Sequence, residues 1–215
     1  MAKTHTPTGP SKNSFRRGHR GGKKINTKYQ DTVKRLQGDD TYKQVRVLYQ
    51  DEAGFGRISK IGSCWCPPNS RATVPKHHIR EYRYCYGAVD AHTGESFFII
   101  AGNCNTAWMQ KFLDELAAYY PDDYLMLVMD NAAWHKAGHL IIPDNMAFIF
   151  IPPYTPQMNP IEQIWAQFRR MGFSNQAFNT LNDVIDRLEE TIHQLTPAMV
   201  QSIVKRKWLP QAVLN

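Results

Sequence analysis

Three acids stand at positions that folding alone does not call for. Asp51 closes an alternating run in which Val45, Val47 and Tyr49 interleave with Arg46, Leu48 and Gln50. Asp130 closes the apolar run Tyr124-Leu125-Met126-Leu127-Val128-Met129. Glu162 opens a helical pattern just after Pro152-Pro153-Tyr154-Thr155-Pro156-Gln157-Met158-Asn159-Pro160. If the two runs are neighbouring strands, both Asp residues reach one end of a sheet, where open α/β sheets place their sites. The stiff proline-rich loop can aim Glu162 at the same spot. Three converging carboxylates repel unless a cation lies between them. Oxygen-only ligands with open positions suit Mg²⁺ or Mn²⁺. Two such ions ~3.5–4 Å apart activate a nucleophile and stabilise a leaving oxygen in phosphodiester chemistry.

Each acid also has an ordinary role open to it. Asp51 suits a turn before Gly54, and Asp130 suits the N-cap of a short helix. Asn159 as N-cap, Pro160 at the first helical position and Glu162 at the third form a capping arrangement. Glu52 adjoins Asp51, and adjacent strand residues face opposite sides. Alternation alone does not say which of the two points into a site.

The elements that must position these acids follow from periodicity. Residues 1–24 are rich in Gly, Ser, Thr, Pro, Lys and Arg and lack apolar periodicity, so they are expected to be disordered alone. Residues 25–42 carry a weak helical pattern at Tyr29, Val33 and Leu36. The folded region starts near Lys43 with a strand that stops at Asp51-Glu52. Gly54 and Gly56 then mark a turn, and residues 58–65 read as a returning strand. Residues 82–89 and 96–101 read as strands joined by a turn at 90–94. Trp108, Phe112, Leu113, Leu116 and Tyr120 form one helical face, capped by Asn105 or Thr106 and ended by Pro121. Residues 124–129 and 147–151 read as strands buried on both faces. Ile161, Ile164, Trp165 and Phe168 stripe one helix. Leu181, Val184, Ile185, Leu188, Ile192 and Leu195 stripe a last one, opened by a Thr180–Asp183 capping box. This order predicts an α/β fold, a mixed β-sheet flanked by α-helices. Residues 1–42 are expected to form a basic, largely disordered N-terminal arm and linker, and residues 43–215 the folded domain that carries the three acids.

Composition narrows the setting. The 215 residues are 42% apolar and 21% charged, ordinary values for a globular chain. No apolar run approaches the ~18 residues that span a bilayer, so no membrane partner is expected. Four cysteines make no disulfide framework, and reduced thiols in the cytoplasm are the default. Cys64-x-Cys66 with His77-His78, Cys85 and Cys104 lacks the paired C-x₂-C spacing of structural zinc. No Ser-His-Asp order, P-loop or dinucleotide fingerprint appears. The net charge is +7, and residues 1–30 hold eight of the 26 Lys and Arg and none of the 19 Asp and Glu. Such an arm suits a polyanion, most simply nucleic acid, with Arg16, Arg17, Arg20, Lys23 and Lys24 on phosphates. A solubilising segment is the plain alternative. Arg169 and Arg170 are further phosphate candidates.

Three blocks taken together carry a resemblance. They are Gln50-Asp51-Glu52-Ala53-Gly54-Phe55-Gly56-Arg57, Asp130-Asn131-Ala132-Ala133-Trp134-His135, and the proline-rich run from Pro152 through Ile161-Glu162. In this order, with 31 residues between Asp130 and Glu162, they resemble the catalytic domain of bacterial insertion-sequence transposases related to the mariner-like DDE superfamily. The resemblance spans about residues 43–205. It implies an RNase H-like fold and a catalytic, metal-binding triad of Asp51, Asp130 and Glu162, so it selects Asp51 over Glu52. It implies two Mg²⁺ (or Mn²⁺) ions per site, strand cleavage by water at element ends, and joining of the freed 3′-hydroxyl to target DNA. Glu52, Asn131 and His135 fall in supporting positions. Double-stranded DNA is the implied partner, with a homodimer assembled on it in the nucleoid. Members carry N-terminal helix-turn-helix modules, and no such unit is recognisable before residue 43. A fragment, a truncated copy or the downstream frame of a frameshifted element is therefore expected. Two other functions stay open: a catalytically insufficient remnant that binds DNA, and a general RNase H-like nuclease without joining activity.

Overall fold

Every residue of the strand Asp123–Met129 is buried, as a strand covered on both faces must be. The computed structural model describes residues 12–36, 41–58, 62, 65–71, 73–74, 78–130, 140–151 and 159–205, with side chains from residue 22 onward. The elements run α1 (Lys12–Leu36), β1 (Gln44–Gly56), β2 (Tyr82–Asp90), β3 (Ser96–Ala101), α2 (Thr106–Tyr119), β4 (Asp123–Met129), β5 (Met146–Phe150), α3 (Ile161–Phe168), α4 (Leu181–His193) and α5 (Pro197–Val204). A π-helical turn, Arg169–Phe173, extends α3. The sheet order is β3-β2-β1-β4-β5. β1 and β2 pair antiparallel, as do β2 and β3, whereas β1 with β4 and β4 with β5 are parallel. This is the mixed sheet flanked by helices that the element order predicts.

Alternation along the strands divides the interior in two. Val47, Tyr49, Ala53, Phe55, Met126 and Val128 pack with α1, α3, α4 and α5. Leu48, Tyr86, Ala88, Leu125, Leu127 and Met129 pack with α2 on the other face. β2, β3, α2, β4 and β5 stand within a residue or two of their expected places. Asn105 caps α2 by accepting from the Trp108 N–H, and Thr180 with Asp183 forms the expected capping box.

Four expectations are corrected. β1 does not stop at Asp51-Glu52 but runs to Gly56. Gly54 and Gly56 therefore lie inside the strand, where they make room for rings. Gly56 pairs with Tyr82, and a Cβ on it would come 2.6 Å from the Tyr82 ring. The returning strand over residues 58–65 is not seen in the described residues of that stretch, and β2 is the partner instead. The helical pattern at 181–195 is the single helix α4, but it is not the last one, because Thr196 caps a fresh start with Pro197 in the first turn of α5. Finally, α1 runs through residues expected to be disordered. Ile25 and Tyr29, one turn apart, are buried, with Val33 and Leu36 packed alongside. A weak amphipathic stripe becomes helical when a sheet face takes up its apolar side.

Candidate active site

Asp51 sits in β1 between Tyr49 and Ala53, on the face that meets α3. The Trp165 indole N–H of α3 donates to its Oδ2 at 2.9 Å. Gly87 is the β2 residue paired with Asp51. A Cβ on Gly87 would lie 2.7 Å from the Trp165 ring and 2.7 Å from the Phe98 ring. The missing side chain is the space the indole fills.

Asp130 follows from register. The parallel pairing of β1 with β4 ends at Tyr49 with Val128. Asp51 and Asp130 each stand two residues further on, so the two acids lie just past the end of the ladder between these adjacent central strands. Asp130 is exposed, the first residue after β4.

Glu162 is exposed in the first turn of α3. The capping role open to it is not formed. Pro160 holds the cap position, with no side-chain cap bond. The Asn159 amide instead donates to the Gln50 backbone carbonyl at 2.8 Å.

Electrostatics tie the acids together. Asp51 is pushed up to about 7, first by burial and then by the carboxylates of Glu52 and Glu162, against the opposing pull of the Trp165 hydrogen bond. A buried acid beside two others resists ionisation. Glu52 takes the opposite face. It accepts from the Gln50 amide at 2.6 Å, and after burial it is among the causes that push the Tyr86 hydroxyl and the Cys104 thiol up. Alternation thus gives Asp51 to the α3 side and Glu52 to the α2 side.

The remaining candidates divide. Asn131, His135 and the loop at 152–158 lie outside the described residues. Arg16, Arg17 and Arg20 fall on α1, with side chains outside them too, whereas Lys23 and Lys24 are exposed on that helix. The Arg169 guanidinium lies 5.3 Å over the Phe55 ring, and Arg170 is exposed, donating to Gln167. Cys85 is buried in β2 as a small hydrophobe, and Cys66 and Cys104 are exposed. Among the described residues, no three His, Cys, Asp or Glu side chains are grouped to hold an ion. Sequence patterns missed Gly87 and the polar roles of Trp165 and Asn159. The one visible signal was a glycine in a strand of bulky residues.

An acid inside β1, a second directly after the neighbouring β4 and a third on the helix after β5 are the arrangement of a nuclease-type α/β domain. The model for the DDE superfamily endonuclease family matches residues 46–185, and the chain belongs to that family. The uncharacterized protein y4pE/y4sA of Sinorhizobium fredii is 31% identical over 130 residues, covering 59% of this chain and 96% of that protein. An insertion element IS630 39 kDa protein of Shigella sonnei is 23% identical over 156 residues, covering 70% of this chain. Among solved structures, the Mos1 transposase paired-end complex with its left transposon end matches with a TM-score of 0.62 at 16% identity, over 95% of this chain. A Mos1 mariner paired-end complex with Mn gives 0.61. The fold is accordingly RNase H-like. The chain spans 46% of the IS630 protein and 62% of the Mos1 chain. No described helix is long and apolar enough to cross a membrane.

Proposed function

We propose that this chain is the catalytic domain of a mariner-like insertion-sequence transposase, cutting DNA strands at element ends and joining them to target DNA. The observation that carries this is the position of Asp51, buried beside Glu162 and in step with Asp130 across β1 and β4. Family membership and the Mos1 likeness support it. In the cleavage step, water attacks a phosphorus and the P–O3′ bond breaks, leaving a 3′-hydroxyl. In the joining step, that hydroxyl attacks a target phosphorus, one P–O bond forms and one breaks. No external energy source is needed.

The donor set fits divalent metal. It is all carboxylate oxygen, suited to Mg²⁺ or Mn²⁺, and Asp51 is pushed up to about 7 by burial and then by the carboxylates of Glu52 and Glu162, whose repulsion a cation relieves. Asp51, Asp130 and Glu162 would hold two ions. Bound there, the ions supply Lewis-acid activation of the attacking oxygen and neutralise charge on the leaving one. Mos1 complexes solved with Mn and with Mg support this choice of metal. Lys23, Lys24 and Arg170 are exposed and are the proposed phosphate contacts, with Arg16, Arg17, Arg20 and Arg169 as further candidates and Glu52, Asn131 and His135 in proposed supporting roles. Element-end and target DNA are the partners, held by two copies of the chain in the nucleoid.

The test is Mn²⁺- or Mg²⁺-dependent strand transfer from a pre-cleaved duplex of the element's own terminus into plasmid, comparing wild type with Asp130→Asn. Joined product from wild type that vanishes in the variant supports the assignment. Metal-dependent nicking without joining points to the general nuclease. Mn²⁺ uptake with neither product points to a chain that needs a separate end-recognition module.

A further inference from the structure

Two hydrogen bonds tie α3 and the residue just before its cap to β1, one at Gln50 and one at Asp51. The Asn159 amide, just before the helix, donates to the Gln50 carbonyl at 2.8 Å. The Trp165 indole, one turn into it, donates to Asp51 Oδ2 at 2.9 Å. Both donors are buried, Asn159 at 4% and Trp165 at 1% exposure. Glu162 lies midway between them in sequence and is exposed. Two fixed points, six residues apart, set both the height and the rotation of the first turns of a helix.

Neither bond is what local structure requires. Asn159 is poised to cap α3 and does not; the helix starts without a side-chain cap. Its Oδ1 is buried with no hydrogen-bond partner among the described residues. Forgoing the side-chain cap and burying an acceptor without a partner costs stability, so the side chain is committed to the strand for another reason. The Gln50 carbonyl it takes lies just beyond the last residue pair of β1 and β4. Trp165 could fill its space as any large apolar ring. Yet its N–H meets a carboxylate oxygen of Asp51, over a Gly87 that leaves it room.

We propose that Asn159 and Trp165 are positioning residues, a two-point latch that holds Glu162 at a fixed distance and angle from Asp51. Asn159 fixes the helix start to the strand. Trp165 fixes one carboxylate oxygen of Asp51, so that the other is presented in a single orientation. Partners that orient metal-ligating carboxylates typically matter 10–100-fold in affinity. The inference rests on the metal-site assignment above.

The test uses Mn²⁺ alone on the full chain, following loss of the free-ion electron paramagnetic resonance signal. It compares wild type with Trp165→Phe, which keeps a ring and removes the donor, and with Asn159→Leu, which keeps volume and removes the amide. Thermal unfolding in EDTA runs alongside. The expected result is that each variant stays folded and its Kd for Mn²⁺ rises ~10-fold or more. A merely structural role lowers the melting temperature and leaves Kd unchanged below it. Unchanged Kd in folded variants overturns the latch. Failure of both variants to fold also overturns it, since the two bonds would then be stability elements. No Mn²⁺ uptake by wild type instead removes the metal-site assignment itself, a result distinct from equal uptake by all three chains.

Discussion

Gly87 lies directly across the β1–β2 ladder from Asp51, and its missing side chain is the seat of the indole that hydrogen-bonds Asp51. Gly87→Ala places a Cβ 2.7 Å from both the Trp165 and Phe98 rings. Neither ring can shift far, because Phe55 and Phe168 pack against Trp165 and Phe168 against Phe98. Overpacking of this kind costs ~1–3 kcal/mol. The urea midpoint should fall accordingly, and the emission of Trp165 should change as its N–H leaves Asp51. A midpoint equal to wild type would show that the seat has slack.

Asp51 predicts a pH slope in stability. Its folded value is about 7, above the ordinary 3.8. Between those limits the folded chain holds a proton that the unfolded chain has released. Stability therefore falls as pH rises through that window, on the order of 4 kcal/mol in all from this group, and levels off above it. Asp51→Asn carries no such charge. In EDTA at pH 8 it should melt above wild type, and the two should converge near pH 4. Parallel melting curves across the range would show that Asp51 ionises freely in the fold.

Metal should reverse that penalty. An ion at 100 times its Kd stabilises the folded state by ~2.7 kcal/mol. Mn²⁺ should raise the melting temperature of wild type at pH 8 and leave Asp51→Asn and Glu162→Gln nearly unmoved. Because the ion displaces a proton from Asp51, its apparent affinity should weaken about tenfold per pH unit below pH ~7. Calorimetric titration at pH 6 and pH 8 measures this directly. Equal affinities at the two values would place the ion elsewhere.

The far end of the sheet handles charge in the opposite way. Arg46 of β1 pairs with Asp90, Glu95 and Asp123, and its guanidinium lies 4.6 Å over the Tyr120 ring. Asp90 and Asp123 are buried at 4% and 5% exposure. There the cation is built in. Arg46→Met keeps the packing but leaves two buried carboxylates without it, a loss of ~3–5 kcal/mol. Chemical denaturation should show that loss, with Mn²⁺ affinity of the folded variant unchanged. Coupled loss of affinity would mean that the two ends are not independent.

This contrast explains which features were legible in the sequence. β4 and β5 read as buried strands because their apolar runs are unbroken, and β2 and β3 because a turn separates two strand-like runs. The three acids stood out because each ends or opens an apolar element and the three fall in blocks of one order, although each also had a local role open to it. Gly54 and Gly56 misled, since glycine inside a strand looks like its end until the ring opposite is known. The latch was hidden for a different reason. Asn159 and Trp165 look like a cap and a core residue, and their partners lie 109 and 114 residues away in the chain. α1 was read by its dominant composition, while Ile25 and Tyr29 acquire meaning only against the sheet.

That docking changes how the basic segment must be tested. Deleting residues 1–30 removes Ile25 and Tyr29 from the core along with the charge, so lost DNA affinity would say nothing about phosphates. Lys23, Lys24 and Lys28 are exposed on α1, and replacing them with Gln leaves the buried stripe intact. Each phosphate contact contributes ~0.9 to the slope of log K against log salt on duplex DNA. If all three lysines meet phosphates, the triple variant should bind a random-sequence duplex more weakly at low salt and with a slope shallower by ~3. The wild-type and variant curves should then converge as salt rises, because screening removes the same contribution from both. Fluorescence anisotropy across a salt series measures the two slopes. Parallel lines would assign the lysines to solvation of the helix and leave DNA attraction to other surfaces.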